Sequence, residues 1–189
     1  MNDTEQDRRC WDRVAGGDPA ALAEAYDRYA DLLYSLARRI VGSSSDAEEV
    51  LQDAWLQAWR SARSYDPARG ALGAWLVTIT RTRALDRLRS MGSRRRGEAA
   101  ATVEAASDPP PRSADPATGY ARRALRNNVA TAITALAPQQ RQVLELAFFE
   151  GLSQSEIAAR LNAPLGTVKS WTRQALLKLR ERVPVEALP

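Results

Sequence analysis

The chain of 189 residues contains no histidine and a single cysteine, Cys10. The absence of histidine removes the commonest metal ligand and the commonest general base. One cysteine permits no internal disulfide. Cys10 reads as a buried, idle thiol, with redox sensing as the other reading. No apolar run approaches the roughly 18 residues of a membrane-spanning helix. The opening residues MNDTEQDRRC are polar and hold no signal-peptide core. A cytoplasmic location without direct membrane insertion is the expectation. With no phosphate-binding loop and no cluster of metal ligands either, we expect no catalytic residue, no metal, no cofactor and no small-molecule substrate. Asp86, beside Arg83 and Arg89, reads as a helix ion pair.

What is present is charge, and it is segregated. The net charge of +4 is distributed as −5 over residues 1–60, +7 over 61–97, −3 over 98–120 and +5 over 121–189. Two basic blocks separated by an acidic one suggest two nucleic-acid surfaces on one chain. Residues 97–119, GEAAATVEAASDPPPRSADPATG, hold too little apolar area to fold and read as a mobile linker. The expected architecture is all-α: two small helical domains, residues 1–96 and 120–189, joined by that linker.

Residues 5–15 read as a short helix ending at Gly16-Gly17. Asp18-Pro19 then opens a helix as N-cap and first helical residue. It carries Leu22, Ala25, Tyr26, Tyr29, Leu32, Leu33, Leu36 and Ile40 as a core stripe and stops at Gly42. Ser45 and Glu48 read as a capping box for a helix from Asp46 to about Ala62. Its core side is Val50, Leu51, Ala54, Trp55 and Ala58. Asp46, Glu49, Gln52, Asp53 and Gln57 lie on the other side. That acidic face repels DNA; it is either solvated surface or a docking face for a basic protein. The loop SARSYDPARG (61–70) offers Arg63, Tyr65 and Arg69. It either holds a splayed base by stacking and phosphate contacts or simply packs its tyrosine. Residues 71–91 read as a helix anchored by Leu72, Trp75, Leu76, Ile79, Leu85 and Leu88. Arg81, Arg83, Arg87 and Arg89 crowd its second half, Arg94, Arg95 and Arg96 follow, and Thr78 and Thr82 add hydroxyls. Cations interleaved with aromatic and polar groups suit a partly single-stranded nucleic acid.

Beyond the linker, residues 120–136 read as a helix with Leu125, Val129, Ile133 and Leu136 inward. Pro138 opens the next, with Val143, Leu144, Leu146, Ala147 and Phe148 as its apolar residues, and Gly151 closes it. Ser153 and Glu156 form a capping box for a helix with Ile157, Ala158 and Leu161 on one face, which Asn162-Ala163-Pro164 breaks. A last helix opens near Gly166-Thr167, with Val168, Thr172, Ala175, Leu176 and Leu179 as its stripe and Pro184 at its end. Ser170, Arg173 and Leu177 point the other way, with Lys169 and Gln174 flanking. Two helices at a short angular turn, the second bearing Lys169, Ser170 and Arg173 outward, make a helix-turn-helix suited to a DNA major groove.

With both halves in view, the chain resembles bacterial RNA polymerase sigma factors of the extracytoplasmic-function (ECF) group, the smallest members of the sigma-70 family. The resemblance covers about residues 10–92 and 120–183. It rests on DAEEVLQDAWLQAW (46–59), AWLVTITRTRALDRLR (74–89) and LAPQQRQVLELAFFEGLSQSEIAARLNAPLGTVKS (136–170). It implies promoter-specific initiation with core RNA polymerase and promoter DNA as partners. Asp46, Glu49, Gln52, Asp53 and Gln57 would dock on the clamp helices of the β′ subunit, with the β flap as a further contact. Arg63, Tyr65, Arg69, Trp75, Thr78, Arg81, Thr82 and Arg89 would read and melt the −10 element. The linker would thread toward the RNA exit channel. Thr167, Lys169, Ser170 and Arg173 would face −35 DNA. An anti-sigma partner is also implied.

Two residues depart from the family pattern. Thr82 stands where an Asn is common, keeping a hydrogen-bonding group but not the bidentate amide. Trp171 stands where Arg often follows Lys-Ser. It packs on its domain, touches sugar or thymine methyls, or faces a protein. The rival reading is a stand-alone helix-turn-helix regulator on operator duplex, which leaves the first basic block unexplained.

Overall fold

The computed structural model describes the backbone of residues 3–97 and 131–182, and the side chains of 5–92 and 131–181. All regular structure among the described residues is helical. Contacts divide the chain into two compact units, N-terminal and C-terminal, between Ser113 and Ala114. Linker residues 98–119, Leu125, Val129, Pro184 and the side chains of Arg94 to Arg96 lie outside the described residues.

In the N-terminal unit, α1 (Asp3–Ala15), α2 (Pro19–Val41), α3 (Ser44–Arg60) and α4 (Leu72–Gly97) pack on a common core, with two short 3-10 turns, Ala62–Ser64 and Pro67–Arg69, between α3 and α4. The Asp18 carboxylate accepts from the Ala20 and Ala21 amides at 2.9 and 3.4 Å, so α2 begins where Asp18-Pro19 predicts. Gly42 stops it in the left-handed region, at φ 79°. Ser43, left extended by that turn, caps α3 through its hydroxyl and the Asp46 amide. The expected Ser45/Glu48 box is therefore not used, and α3 starts two residues early.

Trp11, Val14, Tyr29, Leu33, Leu72 and Leu76 form the heart of the core. Full burial of each such aliphatic side chain contributes about 1.5–3 kcal/mol. The stripe expected on α2 is too wide: Tyr26 and Leu32 are exposed. Three neighbouring elements cover only part of a helix surface, and Tyr26 lies at the margin, its ring 5.2 Å from that of Trp55. Buried Asp7 accepts from Arg28 and from the Tyr29 hydroxyl, tying α1 to α2. Cys10 is buried and its thiol donates to the Ala21 carbonyl at 3.3 Å. Burial, aided by Glu24, pushes that thiol's pKa up, away from the reactive thiolate.

The C-terminal unit, taken by itself, has a helical turn at 131–134, then α5 (Pro138–Phe149), α6 (Gln154–Leu161) and α7 (Leu165–Arg182). Both halves of the Ser153/Glu156 box are made, at 2.7 and 3.3 Å. Gly151 turns the chain after α5 at φ 66°, as predicted. Asn162, at φ 48°, closes α6. Val143, Leu146, Ile157 and Val168 form a small core, and Trp171 packs against it. Of the three readings of Trp171, packing on its own domain is the one seen. Ile133, Phe148 and Leu176, assigned to apolar stripes by spacing, are exposed, because so small a core cannot cover a third of each helix circumference. Leu177 is exposed, as expected.

Gln140, missed in the sequence, is a buried polar junction. Its amide donates to Gln174, and its carbonyl accepts from Lys178 and from the Ala137 amide, at 2.9, 3.1 and 3.2 Å. Gln140→Leu keeps the volume but removes these bonds. It should lower the stability of this unit by about 1 kcal/mol in a urea titration; no loss would mean that water replaces them freely.

Candidate nucleic-acid interface

The loop between α3 and α4 and the first turns of α4 enclose a cleft of about 370 Å³, within the usual range for small-ligand sites of about 300–1,000 Å³. Asp66 caps the second 3-10 turn through the Ala68 amide at 2.9 Å. Gly70 follows at φ 147°, a value that favours glycine. Tyr65, half-buried, donates its hydroxyl to the Gly70 carbonyl at 3.0 Å, which clasps the loop. Burial pushes the phenol's pKa up, so it stays a neutral donor. Its ring and that of Trp75 lie 5.5 Å apart, tilted by 49°. These two rings, with Ser64, Asp66, Arg69, Gly70, Ala71, Ala74 and Thr78, line the cleft. The tyrosine thus packs, and in packing it builds an aromatic wall. Arg69 is exposed at the mouth, and exposed Arg63 donates Nε to the Ala15 carbonyl at 3.4 Å.

At about 100° per residue, Trp75, Thr78, Thr82 and Arg89 share a face of α4 about 60° wide. Thr78 and Thr82 donate to the carbonyls of Ala74 and Thr78, both at 2.9 Å, leaving their oxygens as acceptors. Arg89 is exposed and pairs with Asp86 at 3.2 Å, the expected ion pair. Arg81 is half-buried.

Arg83 and Arg87 leave this group. They lie about 140–180° away from Thr78 around the helix and face α3. Arg83 Nε donates to Gln57 Oε1 at 2.6 Å. Arg87 pairs with Asp46 through Nε at 2.8 Å and with Glu49 at 2.8 Å. Asp46 is first among the influences that hold the Arg87 guanidinium above its ordinary pKa. Two of the cations assigned to nucleic acid are therefore bound within the protein.

The same contacts correct the acidic face. The Asp46 side chain is only 13% exposed and Gln57 is half-buried, because both sit on the flank of α3 next to α4. Glu49, at 58%, remains open, as do Gln52 and Asp53. Leu56 and Trp59 are exposed on that same face, and sequence reasoning missed them. Their signal was legible, because helical spacing puts both opposite the buried Val50–Ala54–Ala58 stripe. The face is thus acidic with an apolar centre.

In the C-terminal unit, Val168 and Ala175 point α7 into the core, so Lys169, Ser170 and Arg173 face solvent on the opposite side. Thr167 is half-buried at the first turn. The Ser170 hydroxyl accepts from Gln174 at 3.3 Å and keeps its proton to donate. Two cations and a hydroxyl on the outer face of the second helix of a helix-turn-helix can bond guanine edges and phosphates.

Residues 25–95 match the family described as Sigma-70 region 2, and residues 132–181 match Sigma-70, region 4. The ECF RNA polymerase sigma factor SigK of Mycobacterium bovis (strain BCG / Pasteur 1173P2) is 40% identical over 177 residues, which cover 92% of this chain and 91% of that protein. SigK of Mycobacterium ulcerans (strain Agy99) is 37% identical over 171 residues, 89% of this chain and 88% of its own. The crystal structure of Rhodobacter sphaeroides SigE in complex with the anti-sigma ChrR matches 90% of this chain and 98% of its own, at 31% identity and a TM-score of 0.45. No helix among the described residues is long and apolar enough to cross a membrane. Region 2 thus contains the aromatic cleft and the acidic α3 face, region 4 contains the helix-turn-helix, and the chain belongs to the ECF sigma factors of the sigma-70 family.

Proposed function

We propose that this sigma factor divides promoter recognition between two faces that core RNA polymerase holds in register. Residues 1–96 dock on the polymerase and capture the −10 element, 97–119 link, and 120–189 read −35 DNA. On α3, Asp53, Gln52 and Glu49 meet the clamp helices of β′ around the apolar Leu56 and Trp59. Asp46 and Gln57 act there through Arg87 and Arg83, holding α3 against α4. Residues 120–189 also meet the β flap.

Lys169, Ser170, Arg173 and Thr167 read −35 duplex in the major groove. Tyr65, Trp75 and Thr78 then hold a base extruded from the −10 strand, while Arg63, Arg69, Arg81 and Arg89 take its phosphates and Thr82 accepts from a neighbouring base. Unpairing a base costs free energy that stacking in the pocket returns, at about 1–3 kcal/mol per base. The observation that carries this reading is the aromatic-walled cleft of Tyr65 and Trp75 beside an α4 face bearing Thr82 and Arg89. No residue performs chemistry; RNA synthesis belongs to the polymerase, and the protein works in the cytoplasm. An anti-sigma protein covering the α3 face would hold it inactive.

The test is transcription in vitro from a set of genomic promoters with purified core polymerase. Promoter-specific transcripts that need both components are expected. A shift of specific duplex by the protein alone, without transcripts, would favour the operator-binding rival. Asp53→Arg should weaken core-polymerase binding by about tenfold, as for a like-charge contact in a complementary interface, and leave DNA preference in the residual complex unchanged. Unaltered affinity would take this face out of the docking site.

A further inference from the structure

Trp11 belongs to α1, ahead of the residues that match region 2. It is fully buried and cannot touch DNA, yet its ring meets Trp75 edge-on, with centroids 5.5 Å apart and planes at 73°. Trp75 therefore has one aromatic neighbour inside the cleft, Tyr65, and one behind it, Trp11. A half-buried tryptophan at a cleft wall keeps its tilt only if something blocks rotation about its side-chain bonds. α1 also ends against the loop, where Arg63 Nε reaches the Ala15 carbonyl. The helix is itself fastened, by Asp7 to Arg28 and Tyr29 and by Cys10 to Ala21.

We propose that Trp11 is a positioning residue for −10 base capture: packed edge-on against Trp75, it sets the angle of the cleft's aromatic wall and hence how well an extruded base stacks there. This rests on the capture reading above. Trp11 Nε1 is buried without a hydrogen-bond partner among the described residues. Trp11→Phe therefore removes no hydrogen bond and keeps an apolar ring, so the protein folds, but it shortens the edge that meets Trp75.

The test uses holoenzyme assembled from core polymerase and the full chain. Its probe is a single-stranded DNA oligonucleotide selected by that holoenzyme from a random pool, with each nucleotide replaced in turn by an abasic residue. Wild-type holoenzyme should lose about tenfold in affinity at one position, the captured base. With Trp11→Phe that loss should shrink to about threefold, the losses elsewhere and the affinity for core polymerase staying as they were. Asp7→Asn, which loosens α1 by weakening its tie to Arg28 and Tyr29, should diminish the same single loss. An unchanged position profile, or weakening spread evenly over all positions, would overturn the proposal and leave Trp11 as core packing. Should wild-type holoenzyme select no sequence, or show no position-dependent loss, base capture itself fails.

Discussion

Lys169→Ala combined with Arg173→Ala is expected to reduce initiation at −35-dependent promoters by roughly 100-fold or more while core-polymerase binding is preserved. Each side chain that bonds a base edge well is worth about 1–3 kcal/mol of discrimination, and about 1.4 kcal/mol is a tenfold change in affinity. Both residues are exposed on α7, on the side opposite buried Val168 and Ala175, so their truncation leaves the domain's core untouched. If they contact phosphates instead, the loss falls evenly on all sequences and the slope of log affinity against log salt flattens by about two. Measuring binding of promoter duplex by the holoenzyme at several salt concentrations separates the two cases. Loss of polymerase binding in the double variant would refute this division of labour.

Ile157→Ala is expected to unfold the C-terminal unit selectively. Ile157 is 1% exposed and lies in a core whose other fully or largely buried members are Val143, Leu146 and Val168. Removing a buried isoleucine side chain down to Ala costs about 2–5 kcal/mol, and a unit this small buries too little surface to absorb it. Two transitions should be resolved for the wild type in a urea titration followed by circular dichroism. The variant should lose the one belonging to the C-terminal unit and retain the other. An unaltered pair of transitions would show that the site collapses around the smaller side chain at little cost. Since α7 is aimed by this core, the same variant should also lose −35 dependence.

The two predictions concern the two helices of the helix-turn-helix, the outer face of α7 and the core side of α6, and that difference reflects what was legible beforehand. The start of α6 was readable because Ser153 and Glu156 act locally: a hydroxyl three residues before a carboxylate satisfies two amides. Its end is closed by Asn162 in the left-handed region, two residues ahead of Pro164. The start of α3 was not readable. Ser43 and Ser45 each precede an acid by three residues, and the left-handed turn at Gly42 is what leaves Ser43 extended and able to cap.

Periodicity located the buried stripes of α2, α5 and α7 but overstated their width. Tyr26, Leu32, Ile133, Phe148 and Leu176 fall within the apolar arc, yet each stays more than a third exposed at its margin. Leu56 and Trp59 were recoverable from the helical wheel of α3 alone and were overlooked. The arginines of α4 were a different case. Arg81, Arg83, Arg87 and Arg89 look equivalent along the chain. Only the packing of α4 beside α3 sends Arg83 to Gln57 and Arg87 to Asp46 and Glu49, leaving Arg89 on the side of the cleft.

By itself, then, the sequence determined the all-helical class, the capping of α2 and α6, the helix-turn-helix with its outward Lys169 and Arg173, and the family. These depend on interactions within a few residues and on spacing along one helix. Tertiary structure decided which charges neutralise each other, how far each apolar stripe is covered, and that Trp11, Trp75 and Tyr65 stand in a row behind and along one cleft. Those depend on which helix faces approach, and residues 11, 65 and 75 are brought together only when α1 closes against the loop and α4.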